Sequence, residues 1–234
     1  MGSVFRFKQF KVDQTGCAMK INTDGVLLAA IADHPKPVHI LDIGTGTGVI
    51  ALMMAQRFPS AVTDAVEIEP SAAITAGNNF SASPFTDRTR IFPVSIEDYT
   101  TDIKYQLIVS NPPYFVNDLK NPEKRKEIAR HADEYFFDML LRKSASILSP
   151  DGHLWLILPV KQAEQVVVHA VLQKLFPAKI IHVYSDETKE PFRQIICLAF
   201  GQQQTVTGHV YIYAAKTIYT DQYKQLLKDF FLAF

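Results

Sequence analysis

Short apolar runs closed by turn residues alternate along this chain with stretches of helical periodicity. Residues 38–43 form the first run and stop at a cluster of glycine and threonine, the pattern of a strand buried on both faces of a parallel sheet. Comparable runs follow at 61–68, 90–94, 105–110, 153–158, 179–184 and 194–200. Helical spacing marks 49–58, which ends before Pro59, and then 71–80, 134–148 and 161–175. A polar loop is expected before residue 134 and a turn at Pro150-Asp151-Gly152. The charged stretch between the last two runs has no helical pattern, so these runs are expected to pair as an antiparallel hairpin. Strand–helix alternation with short links predicts a Rossmann-like α/β domain. Its seven-stranded, mostly parallel sheet would carry helices on both faces. Ligands on such sheets sit beyond the carboxyl ends of the strands, near the switch point. The 234 residues read as one domain, with an N-terminal segment 1–36, a core 37–201 and a C-terminal extension 202–234.

Composition changes this picture little. A hydrophobic fraction of 47% suits a globular core. Lys+Arg and Asp+Glu balance at 24 each, so a nucleic-acid partner would have to be met by a local basic patch. Cys17 and Cys197 lie far apart and have no metal or redox spacing, which fits free thiols in a reducing cytosol. No apolar run is long enough to span a membrane, and residues 1–11 lack a signal peptide's apolar centre. A cytoplasmic, metal-free monomer is expected.

The first strand leads into Leu41-Asp42-Ile43-Gly44-Thr45-Gly46-Thr47-Gly48-Val49. Glycine permits a tight turn and lets backbone N–H groups approach a ligand closely. The dinucleotide fingerprint would need glycine where Val49 stands, and a P-loop would need a lysine after Gly48. Asp42 is a poor neighbour for a pyrophosphate but suits a cationic ammonium or sulfonium ligand, directly or through water. Gly44, Thr45, Gly46 and Gly48 are therefore candidate cofactor residues. At the tip of the next strand, Glu67 can accept from both hydroxyls of a ribose, and Ile68 can pack against an adenine ring. Glu69 reads as a solvated residue entering the next helix. After the third strand, Glu97, flanked by Ser95 and Asp98, is a candidate acceptor for an adenine amine.

The sharpest feature is Asn111-Pro112-Pro113-Tyr114, at the end of the fourth strand. Two prolines fix two φ angles and remove two donors, leaving a rigid turn with free carbonyls. Asn111 adds a side-chain carbonyl. An adenine N6 or carboxamide nitrogen is a poor nucleophile, because its lone pair is delocalised. Asn111 Oδ1 and the Pro112 carbonyl can hold both amine hydrogens, favour a more pyramidal nitrogen, aim it at a methyl donor and stabilise developing positive charge. Tyr114 can stack on the base. These roles make Asn111, Pro112, Pro113 and Tyr114 the candidate catalytic turn, with Asn111 also touching the cofactor.

With these segments in place the chain resembles the class I S-adenosylmethionine-dependent methyltransferases, and within them the bacterial tRNA1(Val) (adenine(37)-N6)-methyltransferase family. The resemblance rests on Phe7-Lys8-Gln9-Phe10, on 19–28, on 41–49, on Asn111-Pro112-Pro113-Tyr114-Phe115 with Ala129-Arg130-His131, and on 219–230. It implies the class I methyltransferase fold and S-adenosylmethionine as cofactor. It also implies a tRNA anticodon loop as substrate, with A37 as the target, and places Lys20, Thr23 and Asp24 near the methionine end of the cofactor. A base in a single-stranded loop is cheaper to extrude than one in a duplex. Phe115, Lys120, Lys124, Arg125, Arg130 and His131 are then candidate substrate contacts beside the reactive turn, with Lys8 and Lys11 as possible additions.

Other readings fit less well. A release-factor glutamine methyltransferase shares the tetrapeptide but resembles chains with a separate N-terminal helical domain. Here only about forty residues precede the first core strand, too few for such a bundle. Guanine N2 methyltransferases of ribosomal RNA tend to carry Phe where this chain has Tyr114. A DNA adenine methyltransferase would need a target-recognition region, for which the residues after Phe200 are few. A non-catalytic RNA-binding or cofactor-sensing protein would not need two acceptors aimed at a methyl group.

Overall fold

The computed structural model describes residues 4–113 and 122–234, with side chains described outside 122–133. The described elements run β1 (Val4–Arg6), β2 (Lys11–Asp13), α1 (Thr23–Ile31), β3 (His39–Ile43), α2 (Val49–Arg57), β4 (Val62–Val66), α3 (Pro70–Ser81), β5 (Thr89–Phe92), β6 (Tyr105–Ser110) and α4 (Pro122–Ile147). They continue with β7 (Leu148–Leu158), α5 (Val160–Ala170), β8 (Leu175–Tyr184), β9 (Arg193–Phe200), β10 (Val206–Tyr211), β11 (Tyr213–Ala215), β12 (Ile218–Tyr219) and α6 (Asp221–Leu227).

The main sheet has the order β10-β8-β9-β7-β6-β3-β4-β5. Only β9 is reversed, pairing antiparallel with both β7 and β8, so the expected hairpin of the last two core runs is present. The sheet has eight strands rather than the expected seven. The eighth, β10, adds parallel to β8 at the edge, with Val206 opposite Lys179. Its sequence, Val-Thr-Gly-His-Val-Tyr, alternates weakly because an edge strand is covered on few sides.

Side chains pack on both faces of the sheet. One core joins Val26, Leu27 and Leu28 of α1, Leu52 and Met53 of α2, Phe80 of α3 and Leu227 of α6 to inward residues of the strands. The opposite core is built from Leu140 and Leu141 of α4 and Ala163 and Val166 of α5. Helices thus cover both faces, as the alternation predicted.

Three further departures have local causes. Helix α4 begins at Pro122, inside the expected polar loop, because a charged run of good helix formers follows a proline suited to the first helical turn. The expected turn at 150–152 is absorbed within β7. Tyr105 pairs with Leu148 and Leu107 with His153, so the extra residues form an irregularity in one continuous strand. The N-terminal segment is ordered by distant partners. Phe7 bridges to Phe231, the Lys8 N–H donates to the Phe230 carbonyl at 2.8 Å, and Phe7 stacks on Phe10 at 4.5 Å.

Candidate methyl-transfer site

The site is assembled at the carboxyl ends of β3, β4 and β6, with β3 central and its two neighbours on opposite sides. The strand order changes direction here, which opens the crevice expected of an open α/β sheet. Ser110 pairs with Ile43, and its hydroxyl donates to the Ile43 carbonyl at 2.8 Å. That stitch brings Asn111 and Pro112 alongside the start of the glycine loop. Asn111 is half-buried, Pro112 buried and Pro113 exposed.

The loop hangs from β4. The Gly44 and Thr45 N–H groups donate to the Val66 carbonyl at 2.9 and 3.2 Å. Gly44, Gly46 and Gly48 take φ of 72°, 55° and 82°, the left-handed region that disfavours side chains. Their surroundings differ. A Cβ on Gly44 or Gly46 would meet nothing within 4 Å, whereas one on Gly48 would lie 2.6 Å from Phe80 Cε1. The first two face open space where a ligand can approach, and the third presses helix α2 onto α3.

Asp42 is fully buried beneath the loop. Its Oδ2 accepts from the Thr45 hydroxyl at 2.6 Å and from the Ala51 N–H of α2 at 3.1 Å. Among the described residues its Oδ1 has no hydrogen-bond partner. Burial pushes the carboxyl up to about 7, against the lowering effect of the Thr45 and Ala51 hydrogen bonds. Asp42 therefore organises the loop from below, and any pull it exerts on a cation passes through Thr45 or across a buried gap.

Glu67 reaches the loop from the tip of β4. Its Oε2 accepts from the Gly46 N–H at 2.8 Å and its Oε1 from the Glu69 N–H at 2.9 Å. Next to it Ile68 is 70% exposed, an apolar face offered to the crevice. Glu69 caps α3, accepting from the Ala72 N–H at 2.7 Å and the Ser71 hydroxyl at 2.5 Å, which holds its carboxyl below the usual range.

The expected adenine-side acceptors are engaged elsewhere. The Glu97 carboxylate accepts from the Tyr135 hydroxyl at 3.0 Å, and its carbonyl accepts from Lys143 Nζ at 2.8 Å, both on α4. Ser95 and Asp98 close a turn on each other, hydroxyl to carboxylate at 2.7 Å. Lys20 is exposed, and Thr23 opens helix α1, whose cap is Asn22 accepting from the Gly25 N–H at 2.9 Å. Asp24 is ion-paired with Arg193 Nε at 2.7 Å. Lys8, a suggested phosphate contact, instead donates to the carbonyls of Lys228 and Phe234 at 2.5 and 2.7 Å. Tyr114, Phe115 and Lys120 lie outside the described residues. Lys124, Arg125, Arg130 and His131 fall on α4, and their side chains are outside the described set.

The periodicity gave no sign of Asn79. Buried in α3, its Nδ2 donates to the Thr47 carbonyl at 2.9 Å and to the Asp13 carbonyl at 2.8 Å, and its Oδ1 accepts from the Asp13 N–H. It ties the glycine loop to strand β2. The available signal was a buried asparagine inside a helix, a position that residue avoids unless its amide is satisfied. Among the described residues no group of three or more His, Cys, Asp or Glu could hold a metal ion, and Cys17 and Cys197 are both free.

A family model described as the methyltransferase small domain matches residues 17–184. A tRNA1(Val) (adenine(37)-N6)-methyltransferase of Pedobacter heparinus is 58% identical over 234 residues, covering 100% of both chains. The protein of the same name from Parabacteroides distasonis is 40% identical, covering 97% of each. Among solved structures, one described as a predicted O-methyltransferase from Agrobacterium tumefaciens superposes with a TM-score of 0.71 at 15% identity, covering 88% of this chain and 96% of that one.

Proposed function

Because the chain belongs to the tRNA1(Val) (adenine(37)-N6)-methyltransferase family, we infer that it transfers a methyl group from S-adenosylmethionine to N6 of A37 in that tRNA. The observation that supports the reading is the Ser110–Ile43 stitch, which brings Asn111 and Pro112, the residues proposed to supply two amine acceptors, alongside a glycine loop open to a ligand.

The residues suit S-adenosylmethionine. Gly44 and Gly46 leave room for close approach, Ile68 offers an apolar surface to an adenine ring, and Glu67 holds a carboxylate at the level of the loop. When bound, the cofactor supplies an electrophilic methyl group on a sulfonium. Glu67 would exchange its Gly46 contact for the ribose hydroxyls, a swap of one hydrogen bond for two. Asn111 and Pro112 would hold the two N6 hydrogens, draw the lone pair out of conjugation and stabilise positive charge as the N–C bond forms and the methyl–sulfur bond breaks, with a neutral thioether as leaving group. The extra proton would then pass from the cationic nitrogen to water, so no strong base is needed. Tyr114, two residues past Pro112, would stack on the target base. The reaction belongs with tRNA in the cytoplasm, and among the described residues no helix is long and apolar enough to cross a membrane.

The test is methyl transfer from labelled S-adenosylmethionine to total tRNA from a strain lacking the protein, followed by nucleoside mass analysis. New N6-methyladenosine mapped to position 37 of a valine tRNA is expected. Label in release factor or ribosomal RNA alone would overturn the substrate.

A further inference from the structure

The main sheet ends in two edge strands, β5 and β10. The outward N–H and C=O groups of an edge strand are a template on which another strand can pair. β5 is protected by its own makeup, being four residues long with Arg90 exposed. β10 has no such protection. Its six residues, Val-Thr-Gly-His-Val-Tyr, include no lysine, arginine, acid or proline, and Val206 is 56% exposed.

A side chain from α6 covers this edge instead. Just past β10, the Ile212 N–H turns inward and donates to the Tyr184 carbonyl of β8 at 3.0 Å. Alternation therefore points the backbone groups of His209 and Tyr211 outward. Gln222 lies across them. Its Oε1 accepts from the Tyr211 N–H at 3.2 Å, and its Nε2 donates to the His209 carbonyl at 2.8 Å. One amide thus takes both the donor and the acceptor that a neighbouring strand would use. The Thr220 hydroxyl takes the next outward group, donating to the Tyr211 carbonyl at 2.5 Å. Helix α6 is held in place by Tyr223 and Leu227, both buried in the core. Gln222 itself is exposed, so water could satisfy the same groups and its hydrogen bonds add little to stability. What they change is access to the edge.

We propose that Gln222 guards a latent self-association surface, occupying the groups through which β10 would otherwise pair with β10 of a second copy of this chain. A copy related by a twofold axis normal to the sheet presents the same edge antiparallel, as a closed dimer requires. Two β10 strands bring no like charges together, whereas two β5 strands would oppose their Arg90 side chains. The copy also matches the rings on this edge. His182 stacks on His209 at 5.6 Å and Tyr184 on Tyr211 at 4.8 Å, two columns that run across β8 to β10. A reversed second strand would continue them on the same face of a joined sheet. No step of the methyl transfer uses Gln222 or β10, so the guard acts on assembly rather than on the reaction.

The test combines sedimentation velocity over a wide range of concentration with amide hydrogen exchange, on the full chain. The wild type is expected to sediment as a monomer. Gln222→Ala should speed exchange of the Tyr211 amide about tenfold at concentrations where it is still monomeric, and should form a dimer as concentration rises. Gln222→Glu leaves an acceptor for Tyr211 and adds a charge at the edge, so it should stay monomeric. Adding Thr207→Lys, an exposed position on β10, to Gln222→Ala should also restore the monomer while leaving the Tyr211 amide fast. A Gln222→Ala protein that remains monomeric at every concentration overturns the proposal, as does unchanged exchange at Tyr211. Association that Thr207→Lys fails to reverse overturns it too, because the contact would then lie elsewhere or follow from misfolding. A dimeric wild type would show that the edge is not guarded.

Discussion

Replacing Gly48 with alanine tests the division of labour within the glycine loop. The residue sits at φ 82°, where a side chain costs about 1–2 kcal/mol. The new Cβ would also lie 2.6 Å from Cε1 and 3.2 Å from Cζ of Phe80, a ring buried in the core. Relieving that overlap is an overpacking problem, which typically costs about 1–3 kcal/mol. Gly48→Ala should therefore lose about 2–5 kcal/mol in urea unfolding. Gly46→Ala, at φ 55° with nothing within 4 Å, should lose only the backbone part, about 1–2 kcal/mol. Cofactor affinity should order the two variants the other way, because the Gly46 Cβ projects into the space a ligand needs. Adding Phe80→Leu to Gly48→Ala should recover part of the loss, giving a favourable coupling of about 1–2 kcal/mol. Equal destabilisation by the two alanines, or strict additivity with Phe80→Leu, would refute the steric argument.

Further outcomes follow from other parts of the site. Asn111→Ala should lower kcat about 10²–10³-fold, as loss of a transition-state hydrogen-bonding group does, while calorimetry finds a much smaller loss of S-adenosylmethionine affinity from its cofactor contact; equal losses of both would mean that Asn111 serves cofactor binding rather than the amine. Asp42 keeps its proton to about pH 7 in the fold against 3.8 when unperturbed, so the native state binds the extra proton between those values. Its contribution to stability is then fully present below about pH 4, lost as pH rises to about 7 and level above. Urea midpoints of wild type should accordingly fall relative to Asp42→Asn across that window, and parallel profiles would contradict the burial argument. Arg57 caps α1 from α2, donating to the Ala29 and Ala32 carbonyls at 2.7 and 2.5 Å. Arg57→Met should cost about 1.5–3 kcal/mol in thermal or urea unfolding, and a change within error would show that water replaces the guanidinium.

What could be read from the sequence depended on how local its cause was. The central strands were legible because parallel strands covered on both faces are continuous apolar runs. Helix α1 was not, since Val26, Leu27, Leu28 and Ala29 are buried together and leave no polar face to set a period. Strand β10, half-covered at the edge, failed for the opposite reason. The glycine loop and Asn111-Pro112-Pro113-Tyr114 stood out because glycine and proline state their backbone requirements directly. Glu67 followed from its position at a strand tip, but its hold on the Gly46 N–H did not. Asn79 reaches a partner 66 residues away and Arg193 one 169 away, and no spacing rule spans such distances.

The clasp between the opening hairpin and the final helix sets a timetable for synthesis. Lys8 waits for a carbonyl 220 residues downstream, and Phe7 for Phe231. At roughly 5–20 residues per second, a ribosome needs on the order of 10–40 s to supply those partners. During that interval Phe5 and Phe7 lack the Phe231 ring they later pack against. A transcript cut short near its 3′ end would thus yield a chain with the glycine loop and the Asn-Pro-Pro-Tyr turn encoded and an aromatic hairpin left uncovered, the kind of apolar surface that a cell's disposal systems recognise.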